Sequence, residues 1–475
     1  HIVENTSEKK TKLKALNPIV LLAIILVIAA IATYIVPAGV YERVMDPTTQ
    51  REVVNPQSFK YIAQHPVGFF EFFMSITLGM QRAAYIIFFL FLVGGAFGVI
   101  EATGAMNACL ASVVKRMDGR ELVVIPVCMI IFGCGSAFAG NFEEYLVFVP
   151  LMIAVCVAMG FDSLTAIGVV FCAAASGYAG AMTNPFTVGV AQGISGLPMF
   201  SGIVFRAGVF IALITASIIY VMLYARKVKN NPELSSVHEI DLEYNSHTHA
   251  AIAEAQSKGM TTRHKLVLLT FVAAIAVLVY GVLKLGFYID ELAALFVIVG
   301  IVAGIAGGLK AGEIADAFLK GCDNMLFACM VIGLCNAVII ITENASIMDT
   351  IIHSLSRLLN GLPPAISACA MFVVQVIFNV LVPSGSGQAA ITMPIMAPLA
   401  DVVGLTRQTA VMAFQLGDGL TNMVIPTMGA LVVYIGVAKV PFSTYFKWVL
   451  PLYAMLMGIG AVGLLIATFT KLGPF

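Results

Sequence analysis

The chain has 475 residues, of which 60% are hydrophobic and 11% charged, and its formal net charge at pH 7 is zero. A soluble domain carries about 25% charged residues, so this composition excludes a soluble protein and indicates an integral membrane protein. The zero net charge gives no indication of a nucleic-acid partner. Apolar runs of about 20 residues fit membrane-spanning helices rather than the alternating strands of a barrel.

The first half is predicted to contain a re-entrant hairpin and a broken helix. Its predicted spans cover residues 17–38, 83–102, 163–195 and 205–224. The segment 121–160 is too long for one crossing. Gly140-Asn-Phe-Glu-Glu144 divides it into two short arms, and the span 163–195 is interrupted at Thr183-Asn-Pro185. Since Gly, Asn and Pro end helices, and broken backbone at membrane depth needs protein or water to satisfy it, both interruptions indicate a site.

The second half is predicted to repeat this arrangement after a hydrophilic linker at 226–265. Its predicted spans cover residues 266–283, 292–309, 324–341, 408–435 and 445–470. A second hairpin at 363–403 turns around Pro383-Ser-Gly-Ser-Gly-Gln388, and the span 408–435 is broken at 421–429.

The two halves share residues at nearly constant spacing, which predicts an internal repeat. The matching pairs are Gly79 with Gly321, Glu101 with Glu343, Pro150 with Pro394, Gly160 with Gly404, and Thr165 with Thr409. We expect a first repeat at 1–225 and a second at 266–475, joined by the linker. The basic N-terminus is assigned to the cytoplasm, and the extra span at 266–283 inverts the second repeat. The hairpin 121–160 then faces the interior and the hairpin 363–403 the exterior. The predicted fold is thus an all-α polytopic membrane protein with two inverted repeats, as secondary transporters use around a midplane site.

Three acids near the inferred centre, Glu143, Glu144 and Asp418, indicate the charge that the site accepts. Carboxylates inside a membrane are costly and mark functional sites, and no Lys or Arg lies between Leu122 and Ser201. The acids favour a cationic group or a coupling cation. The predicted substrate- or ion-binding residues are Asn141, Glu143, Glu144, Thr183, Asn184, Ser384, Ser386, Gln388, Asp418, Thr421, Asn422 and Thr427. The alternatives are local. One of Glu143 and Glu144 bonds the backbone at the tip or carries a proton, and Asp418 caps a break or pairs within the bundle. Asn184 and Asn422 stabilise unwound turns, and Ser384, Ser386 and Gln388 only form a tight tip.

Four motifs carry a family resemblance that covers nearly the whole chain. They are Gly140-Asn-Phe-Glu-Glu144, Thr183-Asn-Pro-Phe186, Pro383-Ser-Gly-Ser-Gly-Gln-Ala-Ala390 and Gln415-Leu-Gly-Asp-Gly-Leu-Thr-Asn422. In these the chain resembles the YfcC-like branch of the C4-dicarboxylate anaerobic carrier (DcuC-like) family, within the ion transporter superfamily. The resemblance implies a homodimer whose mobile transport domain works as an elevator against a scaffold. It also implies that substrate, and often sodium, is held at the hairpin tips and unwound helices.

The expected function is secondary active transport of a small charged metabolite in the bacterial inner membrane. A basic amino acid, by arginine/ornithine exchange or cation-coupled uptake, is the first expectation, and a C4-dicarboxylate or other carboxylate coupled to sodium or protons is the alternative. An enzyme is not expected, since neither HExxH nor GxSxG occurs. A channel would not need two opposed hairpins. No cofactor is predicted beyond a coupling ion, Na⁺ or H⁺, with sodium placed near the two tips.

Overall fold

A computed structural model describes residues 18–45, 52–55, 57–109, 112, 119–242, 259–285, 289–359 and 361–473. The main helices of the first half are α1 (Pro18–Ile35), α2 (Phe69–Arg82), α3 (Ala84–Ala102), α4 (Val124–Ala139), α5 (Val149–Ala158), α6 (Ser163–Gly180), the short α7 (Val190–Ile194) and α8 (Ile203–Asn230). Those of the second half are α9 (Thr262–Tyr280), α10 (Ile289–Gly307), α11 (Ala311–Asp323), α12 (Leu326–Asn344), α13 (Met348–Arg357), α14 (Pro364–Leu381), α15 (Gly385–Val403), α16 (Arg407–Thr421), α17 (Gly429–Val437) and α18 (Phe442–Phe469). Within the described ranges, six helices are long and apolar enough to cross a membrane, or up to eight if each bent pair is one span. The prediction of a helical membrane protein is confirmed.

Two short antiparallel ladders follow α1. Strand β1 (Gly39–Val40) pairs with β4 (Lys60–Tyr61), and β2 (Arg43–Met45) pairs with β3 (Glu52–Val54). The strands are docked on α13, where Asp349 accepts a hydrogen bond from the Tyr41 backbone N–H at 2.9 Å and pairs with both terminal nitrogens of Arg43. This extramembrane segment is therefore held against the helix that leads into the second hairpin.

Helices α4 and α5 cover the two arms of the predicted first hairpin. Gly140 ends α4 in the left-handed region, with φ 77°, and a 3₁₀ turn at Glu144–Phe148 leads into α5. The left-handed conformation suits glycine because it has no Cβ. The position of this interruption agrees with the predicted tip.

Helices α14 and α15 form the second pair of arms, with a shorter tip than expected. The prediction had the chain turn over residues 383–388, but α15 begins at Gly385 and takes Ser386 and Gln388 into its first turn. The reason is a helix cap: the Ser384 side chain accepts a hydrogen bond from the Gly387 N–H.

The two broken helices lie inside the protein. In α6, 94% of residues are buried, and in α16 every residue from Gln408 to Thr421 is buried. After α6 the chain is unwound at 181–184 and then forms a π-helical turn, Pro185–Gly189. This first break starts two residues before the predicted Thr183, because Ala181 already takes the left-handed conformation with φ 33°. The second break occupies residues 422–428, between α16 and α17.

Helix packing is reciprocal between the two halves. Helix α2 packs on α12, and α11 packs on α3; likewise α4 packs on α6, and α14 on α16. Glycines allow the first two contacts: a methyl group at Gly79 would lie 2.5 Å from the Ala337 backbone nitrogen, and one at Gly321 would lie 2.2 Å from the Gly94 carbonyl oxygen. Small residues at such crossings let helices approach closely in membranes.

Candidate functional site

The first hairpin tip lies against the first break. A Cβ at Gly140 would be 2.5 Å from Asn184 Oδ1, so the tip and the break are in contact. Asn184 is fully buried, and its Oδ1 accepts the Phe186 N–H at 2.9 Å, which caps the π-helical turn. Its Nδ2 has no hydrogen-bond partner in the described protein. One end of this side chain therefore stabilises the break, while the other is an available donor.

Two threonines attach the breaks to the hairpin arms in the same way. Thr183 Oγ1 donates to the carbonyl of Phe138, the next-to-last residue of α4, at 2.7 Å. Thr427 Oγ1 donates to the carbonyl of Val380, the next-to-last residue of α14, at 3.0 Å. Both hydroxyls satisfy carbonyls that a helix end leaves open. These bonds give the two predicted site threonines a definite positioning role.

The second hairpin tip, the first break and α16 meet at Gly385. A Cβ at this glycine would lie 2.4 Å from Thr187 Cγ2, 2.8 Å from Tyr178 Oη and 3.1 Å from Asp418 Oδ2. Glycine is therefore required for the approach of the tip to the Asp418 carboxylate. Thr187 lies in the π-helical turn that follows the first break, so the break and its turn together touch both tips.

Asp418 differs from the other buried acids of the described chain. Its side chain has 0% exposure, and neither carboxylate oxygen has a hydrogen-bond partner. The other three have partners: Asp162 accepts from Thr165 and Tyr224, Asp241 accepts from the Ser163 N–H, and Asp349 pairs with Arg43. Of the helices that pack on α16, α6, α14 and α15 contain no Lys, Arg or His, and the one basic residue of α18, Lys447, is exposed. An isolated buried carboxylate must be protonated or paired with a cation.

Amides of the first arm of the second hairpin complete this region. Asn379 Nδ2 donates to the Asp418 carbonyl at 3.1 Å and to Asn422 Oδ1 at 2.8 Å, so it holds the end of α16. Gln388 Nε2 donates to Gln375 Oε1 at 2.7 Å and thereby ties the two arms together. Asn379 and Gln375 were missed in the sequence, although two amides four residues apart in an apolar segment are a recognisable signal.

The remaining predicted site residues are distributed around both tips. Glu143 is partly buried at the first tip. Glu144 begins the 3₁₀ turn, and its side chain lies outside what the structure describes. Asn141 and Ser386 are partly buried, Ser384 is exposed, and Thr421 is buried at the end of α16.

We predict that Glu144→Gln weakens transport more than Glu101→Gln does. Glu144 lies at the hairpin tip, whereas Glu101 is exposed near the end of α3. Removing a charge at the tip changes the site, while the same change in an exposed place costs about 1 kcal/mol at most. Uptake into proteoliposomes of equal protein content measures the difference. Equally mild losses of uptake in the two variants would show that Glu144 is not part of the site.

The chain is similar to one family, to two relatives and to one solved structure. Residues 17–469 match the family described as the C4-dicarboxylate anaerobic carrier, DcuC. An Escherichia coli K12 protein named "Putative basic amino acid antiporter YfcC" is 33% identical over 93% of this chain and 94% of its own. A Haemophilus influenzae protein of uncharacterized function is 30% identical over 88% of this chain and 82% of its own. Among solved structures, the YdaH transporter of Alcanivorax borkumensis covers 96% of this chain and 100% of its own at 18% identity, with a TM-score of 0.41.

The apolar helices, together with the family match and the Escherichia coli relative, define an integral membrane protein of a transporter family. The chain belongs to the DcuC family, the C4-dicarboxylate anaerobic carriers. The resemblance seen in its four motifs is confirmed.

Proposed function

We propose that this protein is a secondary active transporter of basic amino acids, and that its substrate binds where the second hairpin tip meets Asp418. The observation that carries the proposal is the Asp418 carboxylate, which is fully buried and has no partner in the described protein. A cationic group of the substrate would supply the missing partner directly. A dianion would instead add repulsion and require further bound cations.

The proposed site of the amino acid head group is the tip of the second hairpin. The N-terminus of α15 begins at Gly385, beside Asp418, and a helix N-terminus favours a carboxylate. The α-carboxylate would bind this N-terminus while the adjacent α-ammonium binds Asp418. The cationic side chain would extend toward Glu143 or Glu144 of the first tip. The first break and its turn, which together touch both tips, would line the path between them.

The proposed mechanism is an elevator movement in a homodimer built from two inverted repeats. Supporting it, α2 and α3 exchange equivalent contacts with α12 and α11, as two repeats related by a two-fold axis would. Helices α4–α8 pack with α14–α16 and α18 in one group, and α1–α3 pack with α9–α12 in another, while α17 packs mainly on α12 of the second group. The first group would move as the transport domain and the second remain as scaffold. The inner membrane, with the N-terminus in the cytoplasm, is the proposed location.

Counterflow with chosen competitors tests the substrate class. Proteoliposomes loaded with arginine should take up labelled arginine, and ornithine and lysine should compete. Citrulline, a neutral analogue of arginine, should compete at least about tenfold less well, because its side chain carries no charge to pair with a glutamate of the first tip. Agmatine, which lacks the α-carboxylate, is the matching probe of the α15 N-terminus. Equal competition by arginine and citrulline would contradict the proposed charge selection.

The alternative is a dicarboxylate carrier, as the family description suggests. The free Nδ2 donor of buried Asn184 favours it, since an amide N–H can bind a carboxylate. This alternative has its own signature, because the dianion would need sodium or protons to offset Asp418. Saturable succinate uptake that depends steeply on a sodium gradient or on low pH, without any effect of arginine, would establish it.

A further inference from the structure

Arg206 is a buried cation beside the first break. It lies near the start of α8, its side chain has 1% exposure, and it is among the largest fully buried side chains of the described chain. None of the ion pairs found in the described ranges involves it. A buried guanidinium without a carboxylate partner needs other compensation for its charge.

Backbone carbonyls supply that compensation. Arg206 Nε donates to the Ala181 carbonyl at 2.9 Å, and Nη2 donates to the carbonyls of Met182 at 3.2 Å and Phe200 at 3.1 Å. Nη1 donates to the Ser201 carbonyl. Ala181 and Met182 are the first residues of the break after α6, so their carbonyls lie at the negative end of that helix dipole.

The same contacts hold two strained residues. Ala181 and Phe200 have positive φ, 33° and 58°, which non-glycine residues adopt at an energetic cost. Arg206 therefore joins the break to the loop before α8 and fixes both in conformations that the backbone alone disfavours.

We infer that Arg206 is a positioning residue that acts as a tethered cation, occupying at the first break the place that an exchangeable ion takes in other broken-helix carriers. Unwound carbonyls and helix C-termini are where such carriers bind coupling ions. At the second break the corresponding contacts are neutral: Tyr445 Oη donates to the Met423 carbonyl at 3.0 Å, and Asn379 donates to the Asp418 carbonyl. An exchangeable cation would thus bind only on the Asp418 side. The inference rests on the proposed transport function, although Arg206 can be tested without it.

The test is chemical rescue by guanidinium. Arg206→Ala should reduce uptake by at least about tenfold, since several charge-assisted hydrogen bonds are lost. Millimolar guanidinium chloride should restore part of the uptake and raise the melting temperature of the variant, relative to choline chloride. The wild-type protein, whose carbonyls are occupied, should show neither effect. The inference would be overturned if guanidinium affected the variant and the wild type equally. It would also be overturned if Arg206→Ala took up substrate as fast as the wild type does without guanidinium.

Two further measurements cover the cases in which transport is not observed or the alanine variant does not fold. If the wild-type protein transports none of the tested substrates, the proposed function fails, while the melting comparison still decides the role of Arg206. If Arg206→Ala does not fold, Arg206→Lys and Arg206→Gln replace it. Lysine retains the cation and glutamine retains only donors, so lysine should be the more stable and active. The opposite order would show that charge is not what the carbonyls require.

Discussion

Replacing Asp418 by asparagine is expected to reduce transport strongly while leaving the fold intact. Asparagine has nearly the same volume, and the bond from Asn379 goes to the backbone carbonyl of residue 418, so it survives the change. A neutral amide is also less costly to bury than an unpaired carboxylate, and the melting temperature should stay or rise. Uptake should fall by about a hundredfold, equivalent to roughly 3 kcal/mol, because the cation loses its only buried charge partner there.

Asp401→Asn is the matched control for this change. Asp401 lies near the end of α15, its side chain is 51% exposed, and it pairs with Arg407. Exposed pairs contribute about 1 kcal/mol or less, so uptake should change little. Counterflow and melting curves of both variants, in parallel with the wild type, decide the matter. Similar uptake by Asp418→Asn and wild type would exclude Asp418 from the transport site.

The sequence predicted the positions where regular structure is interrupted, because helix-breaking residues act locally. Gly140 ends α4 and Asn184 caps the turn after the first break, as expected from residue type alone. The second tip was predicted too long. Ser384, the residue before α15, caps the N-terminus of this helix, and the glycines that follow it form part of the first helical turn. Glycine and serine in sequence indicate a turn, but they do not say where the helix begins.

Contacts between residues far apart in the chain could not be predicted from the sequence. Arg206 was not singled out because its partners, such as Ala181 and Phe200, are backbone carbonyls with no signature in residue type. Tyr178 and Thr187 lie at Gly385 only because α6, the first break and the second tip converge. Asp418 could be selected as an acid in an apolar segment, but its lack of a partner depends on every neighbouring helix. The predicted grouping of Glu143, Glu144 and Asp418 in one site stays a prediction.

A single methyl group at Gly385 is expected to cause the other large effect. In Gly385→Ala the new Cβ would lie 2.4 Å from Thr187 Cγ2 and close to both Tyr178 Oη and Asp418 Oδ2. Carbon atoms attract at about 3.5–4.0 Å, so the second tip must move away from the first break. We expect uptake to fall at least about tenfold, since overpacking costs about 1–3 kcal/mol and displaces the tip from Asp418.

Gly387→Ala separates this effect from helix propensity. Both glycines lie in the first turn of α15, but a Cβ at Gly387 would be 3.1 Å from Ser384 Oγ, so the capping side chain has to shift by only a few tenths of an ångström. Uptake by Gly387→Ala should therefore stay near that of the wild type. Adding Thr187→Ser to Gly385→Ala removes the Cγ2 atom that the new methyl group meets, and it should restore part of the uptake as a coupled pair. If Gly385→Ala and Gly387→Ala behave alike, or if Thr187→Ser only adds to the loss, the second tip does not close on the first break during transport.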